Sequence, residues 1–281
     1  MSEVKSIRVK KNQGEYVLFE IEKIKNALNR SGASFEESTA IVKQLLPKLY
    51  DGITTKKIYQ IAYALLRKRS QKAAGRYRLK KALLEFGPTG YPFEKFVGKL
   101  FEADGYKVET GVYVQGLCVQ HEVDVVAQKG NKKFMVECKF HGDTRKKSDV
   151  KVALYIHSRF LDVSAKWKVD ENNPEMVYKG MVVTNTRFSV DAMQFGKCAG
   201  MKVVSWDYPK GNSLKDWIDR AAYHPITSLA SLKKKEKQFL LEKGIVLCRQ
   251  LKEDFGVLKS LNLSNIRLKR IKRETMDLLV H

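Results

Sequence analysis

The sequence predicts a multidomain α/β protein with a three-layer α/β/α core, and two observations carry that expectation. Two neighbouring runs rich in Val and Phe, Val119 to Ala127 and Lys133 to Phe140, read as strands around a Gly130-Asn131 turn. After them helix-like and strand-like segments alternate: Asp149–Asp162, Gly180–Thr184, Ser189–Ala199 and Met201–Ser205. Such alternation builds a sheet between two helical layers.

With 281 residues the chain exceeds one typical domain, and a hydrophobic content of 43% is enough for real cores. Prolines and glycines break the pattern at Phe86–Pro92, and a second break falls near Tyr208–Ser213. The expected domains are therefore 1–88, 89–224 and 225–281. The first opens with strands at Ser6–Lys11 and Tyr16–Glu20 around a turn at Asn12–Gly14. Helices follow over Ile21–Ser31, Phe35–Leu49 and Thr55–Gln71. Lysines near a glycine turn and a helix start suit a phosphorylated ligand, or equally DNA.

The second domain starts with a helix whose buried stripe is Phe93, Val97, Leu100 and Phe101, with Glu94 beside it. Glu94 either reaches neighbouring carboxylates or is a solvated first-turn residue favoured by the helix dipole. In the strand pair, Glu122, Asp124 and Val126 share one face, and Met135, Glu137 and Lys139 share one face of the partner. A two-residue turn at Gly130-Asn131 sets Asp124 opposite Glu137 and Glu122 opposite Lys139. Glu122 and Lys139 could form an ordinary cross-strand ion pair. Burying four charges between apolar strands would nevertheless be costly without a metal or substrate. Two carboxylates with a nearby lysine suit a divalent cation beside a scissile phosphate. In the helix that follows, Val152, Leu154, Tyr155, Phe160 and Leu161 supply the apolar side. His141, Lys151, His157 and Arg159 lie where they could meet phosphate oxygens.

The third domain reads as a helix, a turn at Gly244-Ile245-Val246 and further helices, the last carrying Arg267, Lys269, Arg270, Lys272 and Arg273. It suits phosphate contact in the manner of a helix-hairpin-helix, or a role in assembly. The whole chain holds 53 Lys and Arg against 31 Asp and Glu, a net charge of +22 that favours polyanions. No leader-like or membrane-spanning apolar run is visible, and Cys118, Cys138, Cys198 and Cys248 have no metal-ligand spacing. A cytoplasmic protein with reduced thiols and no structural zinc is expected.

Residues Gly90 to Leu214 resemble the PD-(D/E)xK nucleases, and more closely their Mrr-like restriction endonuclease branch. The family's helical glutamate matches Glu94, its metal aspartate Asp124, and its Glu-x-Lys pair Glu137 and Lys139. Many Mrr-like proteins have Gly-Val-Asp and Gln-x-Lys where this chain has Glu122-Val123-Asp124 and Glu137-Cys138-Lys139, changes that remove no ligating oxygen. The resemblance implies Mg²⁺ or Mn²⁺ held by Asp124, Glu137, the Cys138 carbonyl and Glu94, with Lys139 positioning water.

Residues Ile7 to Leu83 resemble the ATP-cone, a regulatory nucleotide-binding domain, through Val9, Lys10, Lys11, Gly14, Lys23, Ile24, Ala74 and Tyr77. That resemblance implies an ATP or dATP site lined by Val9, Lys10, Lys11 and Lys23, with Thr54 or Thr55 contributing, and a homo-oligomer under nucleotide control. No Walker motif occurs, so nucleotide-driven translocation is not expected. Together these readings predict a metal-dependent endodeoxyribonuclease regulated by ATP or dATP. The alternative is a nucleotide-responsive DNA-binding or regulatory protein without cleavage activity.

Overall fold

The computed structural model describes residues 7–11, 14–171 and 173–279. Ser6 of the expected first strand, and Asn12 and Gln13 of the expected first turn, lie outside them. The chain opens with strands β1 (Arg8–Lys10) and β2 (Tyr16–Leu18), then helices α1 (Ile21–Arg30), α2 (Phe35–Leu45), α3 (Thr55–Arg69), α4 (Gln71–Tyr77), α5 (Leu79–Leu84) and α6 (Tyr91–Ala103). Strands β3 (Lys107–Gln115), β4 (Gln120–Lys129), β5 (Lys132–Lys139) and β6 (Lys147–Ser148) lead into the long helix α7 (Val150–Glu171). Next come β7 (Val177–Thr184), β8 (Arg187–Phe188), α8 (Val190–Cys198), β9 (Lys202–Val204) and α9 (Leu214–Ala221). The remaining helices are α10 (Lys234–Glu242), α11 (Cys248–Glu253) and α12 (Asn265–Leu279).

The chain divides into two compact units. One gathers 1–79, 228–231 and 262–281, and the other gathers 80–227 and 232–261. In the first unit, β1 and β2 form an antiparallel hairpin with Val9 opposite Val17. Val9, Leu28, Ile41, Leu45, Ile53 and Leu66 form its core. A capping box starts α2: the Ser34 hydroxyl accepts from the Glu37 amide at 3.1 Å, and the Glu37 carboxylate accepts from the Ser34 amide at 2.8 Å. The helix expected over Phe35–Leu49 stops at Leu45 and tightens into a 3₁₀ turn around Pro47, where the amide needed for an α-helical bond is missing. Helix α3 ends at Arg69, two residues before the expected Gln71, and the Ser70 hydroxyl caps α4. Helix α12 packs on α4, where a side-chain carbon at Gly75 would collide with Leu278. The buried Glu274 carboxylate accepts from the Ala230 and Ser231 amides at 2.7 and 2.8 Å.

The second unit holds a mixed five-stranded sheet in the order β3-β4-β5-β7-β9, antiparallel across β3-β4-β5 and parallel across β5-β7-β9. Helices α7 and α8 pack together and against β7 and β9, while α6 packs on β3, β4 and β5 beside α9. This is the expected α/β/α arrangement, extended by the strand β3. Helix α7 runs nine residues past the expected Asp162, because Val163, Ser164 and Trp167 continue its buried side and no Gly or Pro intervenes before Pro174. Gly98 lets α6 approach β3 closely: a Cβ there would sit 2.8 Å from a Thr110 methyl. Residues 232–261 add α10, the turn at Gly244 with φ +77°, and α11, as expected. Among the described residues no helix is long and apolar enough to cross a membrane.

Candidate functional site

The hairpin register places the central carboxylates. Pairing runs from Lys129 opposite Lys132 to Val125 opposite Val136, the register implied by the Gly130-Asn131 turn. Beyond Val125 the regular ladder stops. At the next position Asp124 turns its carboxylate toward β5, and Oδ2 accepts from the Cys138 amide at 2.6 Å. On the other side of β4, Gly111 falls opposite Asp124, between the pairs Thr110–Val125 and Val112–Val123, and has a φ of +62°. That left-handed conformation favours glycine, so β3 bends beside the carboxylate.

Glu137 follows on β5 and is buried. Lys139 Nζ donates to its Oε1 at 2.5 Å, and Arg159 Nη1 of α7 donates to its Oε2 at 2.9 Å. Arg159 Nη2 also donates to the Glu122 carbonyl. Lys139 therefore turns to Glu137, and the alternative cross-strand ion pair with Glu122, whose side chain is exposed, does not form. Arg159 holds the middle of the site with a side chain only 11% exposed. It sits three residues after Ile156 and four before Val163, on the buried stripe of α7. A cation inside an apolar stripe was the sequence signal for a partner across the sheet.

Glu94 reaches the cluster from the first turn of α6 and is half-buried. Burial, followed by repulsion from Asp124, Glu122 and Glu137, raises its carboxyl to about 7. Burial and the neighbouring Glu137 raise Asp124 to about 6, against the opposing effects of the Cys138 amide, Lys139 and Arg159. The buried Cys138 thiol is pushed well above its ordinary value by burial and the carboxylates around it. The structure thus brings Glu94, Asp124, Glu137, Cys138 and Lys139 together.

Past Lys139 the chain is braced from β7, a feature not anticipated in the sequence. Thr184, opposite Lys139 in the parallel register, donates its hydroxyl to the Lys139 carbonyl at 2.7 Å. Buried Asn185 clamps His141, accepting from its amide and donating to its carbonyl, both at 2.8 Å. His141 Nε2 lies 3.1 Å from the Ser148 hydroxyl. Burial and the nearby Lys146 and Lys139 lower its pKa, which favours neutral imidazole. His157 instead packs edge-on against Phe195, and Lys151 is exposed at the start of α7.

The donor set is one of carboxylate oxygens, and the raised pKa values of Glu94 and Asp124 reflect burial and crowded negative charge that a hard cation would relieve. In kind these residues fit Mg²⁺ or Mn²⁺. In arrangement, both oxygens of Glu137 are engaged by Lys139 and Arg159. Among the described residues no group of three or more His, Cys, Asp or Glu side chains is disposed to hold a metal ion.

In the first unit, β1 meets the start of α3 through a parallel bridge between Lys10 and Thr54, and the Lys10 amide donates to the Ile53 carbonyl at 3.0 Å. Thr54 caps α3, its hydroxyl accepting from the Lys57 amide at 3.1 Å, and Thr55 is the first helical residue. Lys10 Nζ stands 5.8 Å from the Tyr16 ring centre, and Val9 lies in the core beneath. Lys11 pairs with Glu15 at 3.0 Å and Lys23 with Glu20 at 2.6 Å. The fold joins Lys10 to Thr54, while Lys11 and Lys23 turn to acidic neighbours on their own segments.

Comparison with known proteins sets this geometry in a family. Residues 88–217 match the Mrr catalytic family of restriction endonucleases, and residues 224–279 match the AF1548-like C-terminal family. An uncharacterized protein of Archaeoglobus fulgidus is 34% identical over 155 residues, which span 55% of this chain and 83% of that protein. The crystal structure of the protein of unknown function AF1548 superposes with a TM-score of 0.56 at 30% identity, over 68% of this chain and 98% of that one. The MspJI restriction endonuclease bound to a 27-mer oligonucleotide aligns at a TM-score of 0.36 and 14% identity, over 75% of this chain and 44% of that one, a likeness too distant to bear on the site. The chain belongs to the AF1548-like family, whose central domain is restriction-endonuclease-like and related to the PD-(D/E)xK superfamily.

Proposed function

We propose that this chain is a DNA-binding protein that uses a restriction-endonuclease-like domain for recognition or regulation, and that it responds to ATP or dATP through residues 7–79. The observation that carries this reading is the closed state of Glu137. Both of its oxygens are held by Lys139 and Arg159, so a cation shared by Asp124 and Glu94 would have to compete with two positive charges for the third carboxylate of the cluster. The net charge of +22 supports binding along a phosphate backbone. Lys10 and Thr54, joined at a helix start, support the nucleotide part of the proposal.

A second reading, divalent-metal-dependent hydrolysis of DNA, is favoured by the crowding of Glu94 and Asp124. In that reading Asp124, Glu137, the Cys138 carbonyl and Glu94 would hold Mg²⁺ or Mn²⁺, which supplies Lewis acidity and an activated water when bound. Lys139 would release Glu137 and orient toward the phosphate, and Arg159 would keep the Glu122 carbonyl in place.

The test uses the full chain with duplex and supercoiled DNA in Mg²⁺, Mn²⁺ and EDTA, following binding by fluorescence anisotropy and strand breaks by gel. Salt-sensitive binding without strand breaks is the expected result. Metal-dependent breaks made by the wild type and lost in Asp124→Asn would replace the first reading with the second. Absence of binding at low salt would overturn both.

A further inference from the structure

A cavity of about 520 Å³ opens in the second unit along the edge strand β9. Its size falls within the roughly 300–1,000 Å³ usual for small-molecule sites. Its floor is aromatic. Phe101 meets Trp217 edge-to-face at 4.9 Å and Phe134 at 5.7 Å between ring centres, and all three side chains are largely buried.

The rim is cationic. Lys197, Lys202 and Arg220 line it. Among the described residues, Lys197 and Lys202 pair with no carboxylate. Lys202 Nζ stands 5.0 Å from the Phe134 ring centre. Lys202 also lies near Lys132 and Lys179, which stand on the adjacent strands β5 and β7, and burial together with those two charges lowers its pKa. An anion in the cavity would relieve that repulsion. The Arg220 guanidinium is steadied at the rim by a 3.2 Å bond to the Gly211 carbonyl.

One acidic group faces the same space. Asp104 Oδ2 accepts from Trp217 Nε1 at 2.9 Å, while Oδ1 accepts from no described group. An aromatic floor, unpaired cations and a single carboxylate acceptor describe a partner with a flat ring, an N–H edge and a negative charge.

We propose that this cavity is a nucleotide site, taking a nucleobase against the aromatic floor and its phosphate at Lys197, Lys202 and Arg220. The nucleotide is supplied either free, as a nucleoside monophosphate, or as one unit of a DNA strand. The site is distinct from the Glu94–Asp124–Glu137 cluster and from residues 7–79, and it does not rest on the DNA-binding reading above.

The test titrates dAMP, dCMP and a short single-stranded oligonucleotide into the full chain, by calorimetry and by tryptophan fluorescence. The double variant Lys202→Gln, Arg220→Gln should weaken binding about tenfold or more, or about 1.4 kcal/mol. Lys197→Gln should weaken it less. Trp217→Phe, which removes part of the aromatic floor and the N–H that holds Asp104, should weaken binding and lose most of the fluorescence change, which a general loss of positive charge would not do. Lys168→Gln, an exposed cation of α7 outside the cavity, should leave the affinity unchanged. Both exchanged cations of the double variant are exposed, so circular dichroism should show an intact fold. Binding of the oligonucleotide alone assigns the ligand to a strand, and binding of the monophosphates assigns it to the free pool. Neither ligand binding at millimolar concentration, or unchanged affinity in both the double variant and Lys197→Gln, overturns the proposal.

Discussion

Asp124→Asn should stabilise the metal-free protein near neutral pH. Asparagine keeps an oxygen for the Cys138 amide and removes a buried charge that faces Glu137 and Glu94. A carboxyl with an ordinary value of 3.8 that titrates at about 6 when folded loses about 3 kcal/mol of stability once ionised. Solvent at a partly exposed cluster screens this to about 2 kcal/mol. The sign follows from the raised value. The contribution of Asp124 is fully present below pH 3.8 and is lost as pH rises through about 6. The asparagine does not titrate, so the two proteins should differ little near pH 4, diverge through pH 6 and stay about 2 kcal/mol apart at pH 8. Glu94 should add to the divergence, because Asp124 is one of the charges that raise it. Urea unfolding followed by circular dichroism in EDTA at pH 4, 5, 6 and 8 measures the gap. An Asn variant equal to or less stable than the wild type at pH 8 would refute the argument that crowded charge is stored at this site.

Arg159→Ala leaves buried Glu137 with Lys139 alone, and should destabilise the second unit by about 3–5 kcal/mol in chemical unfolding, with Arg159→Lys between it and the wild type. Replacing Lys10 and Lys23 together by Ala should weaken calorimetric binding of ATP and dATP to the full chain, and unchanged affinity would remove the nucleotide role from these residues. Sedimentation with and without saturating nucleotide should show a change of oligomer, and a tenfold preference for one assembly would supply about 1.4 kcal/mol per site. Asp162→Ala should increase hydrogen exchange at residues 118 and 119, because its carboxylate accepts from the Cys118 amide at 2.7 Å and the Val119 amide at 3.3 Å and lies 2.7 Å from His121 Nε2.

What the sequence reveals and what it hides divide along the reach of each interaction. The approach of Asp124 to β5 was legible because a two-residue turn determines a register, and the helix carrying Glu94 was legible because its apolar stripe is local. Strand β3 was hidden by Gly111, which interrupts an otherwise alternating run, and its burial alternates only once it lies beside β4. The closure of Glu137 was hidden for a different reason. Lys139 is two residues away and visible, but Arg159 comes from a helix 22 residues later and competes for the same carboxylate. The cavity at β9 draws on α6, β5, β7, α8, β9 and α9, and no local pattern announces a space bounded by six elements.

The membership of α12 in the same compact unit as β1 and the first four helices has a consequence for how the protein is made. On the ribosome β1 and the first four helices emerge before the second unit, yet the helix that covers Gly75 and the carboxylate that holds the Ala230 and Ser231 amides emerge after it. The second unit is contiguous apart from one short interruption and has all its strands available earlier. Domains generally fold as units during synthesis. Maturation should therefore proceed from the middle outward, with the first unit acquiring its complete core only once α12 has been made. A stop codon placed before residue 262 would spare the sheet and leave the first unit unfinished.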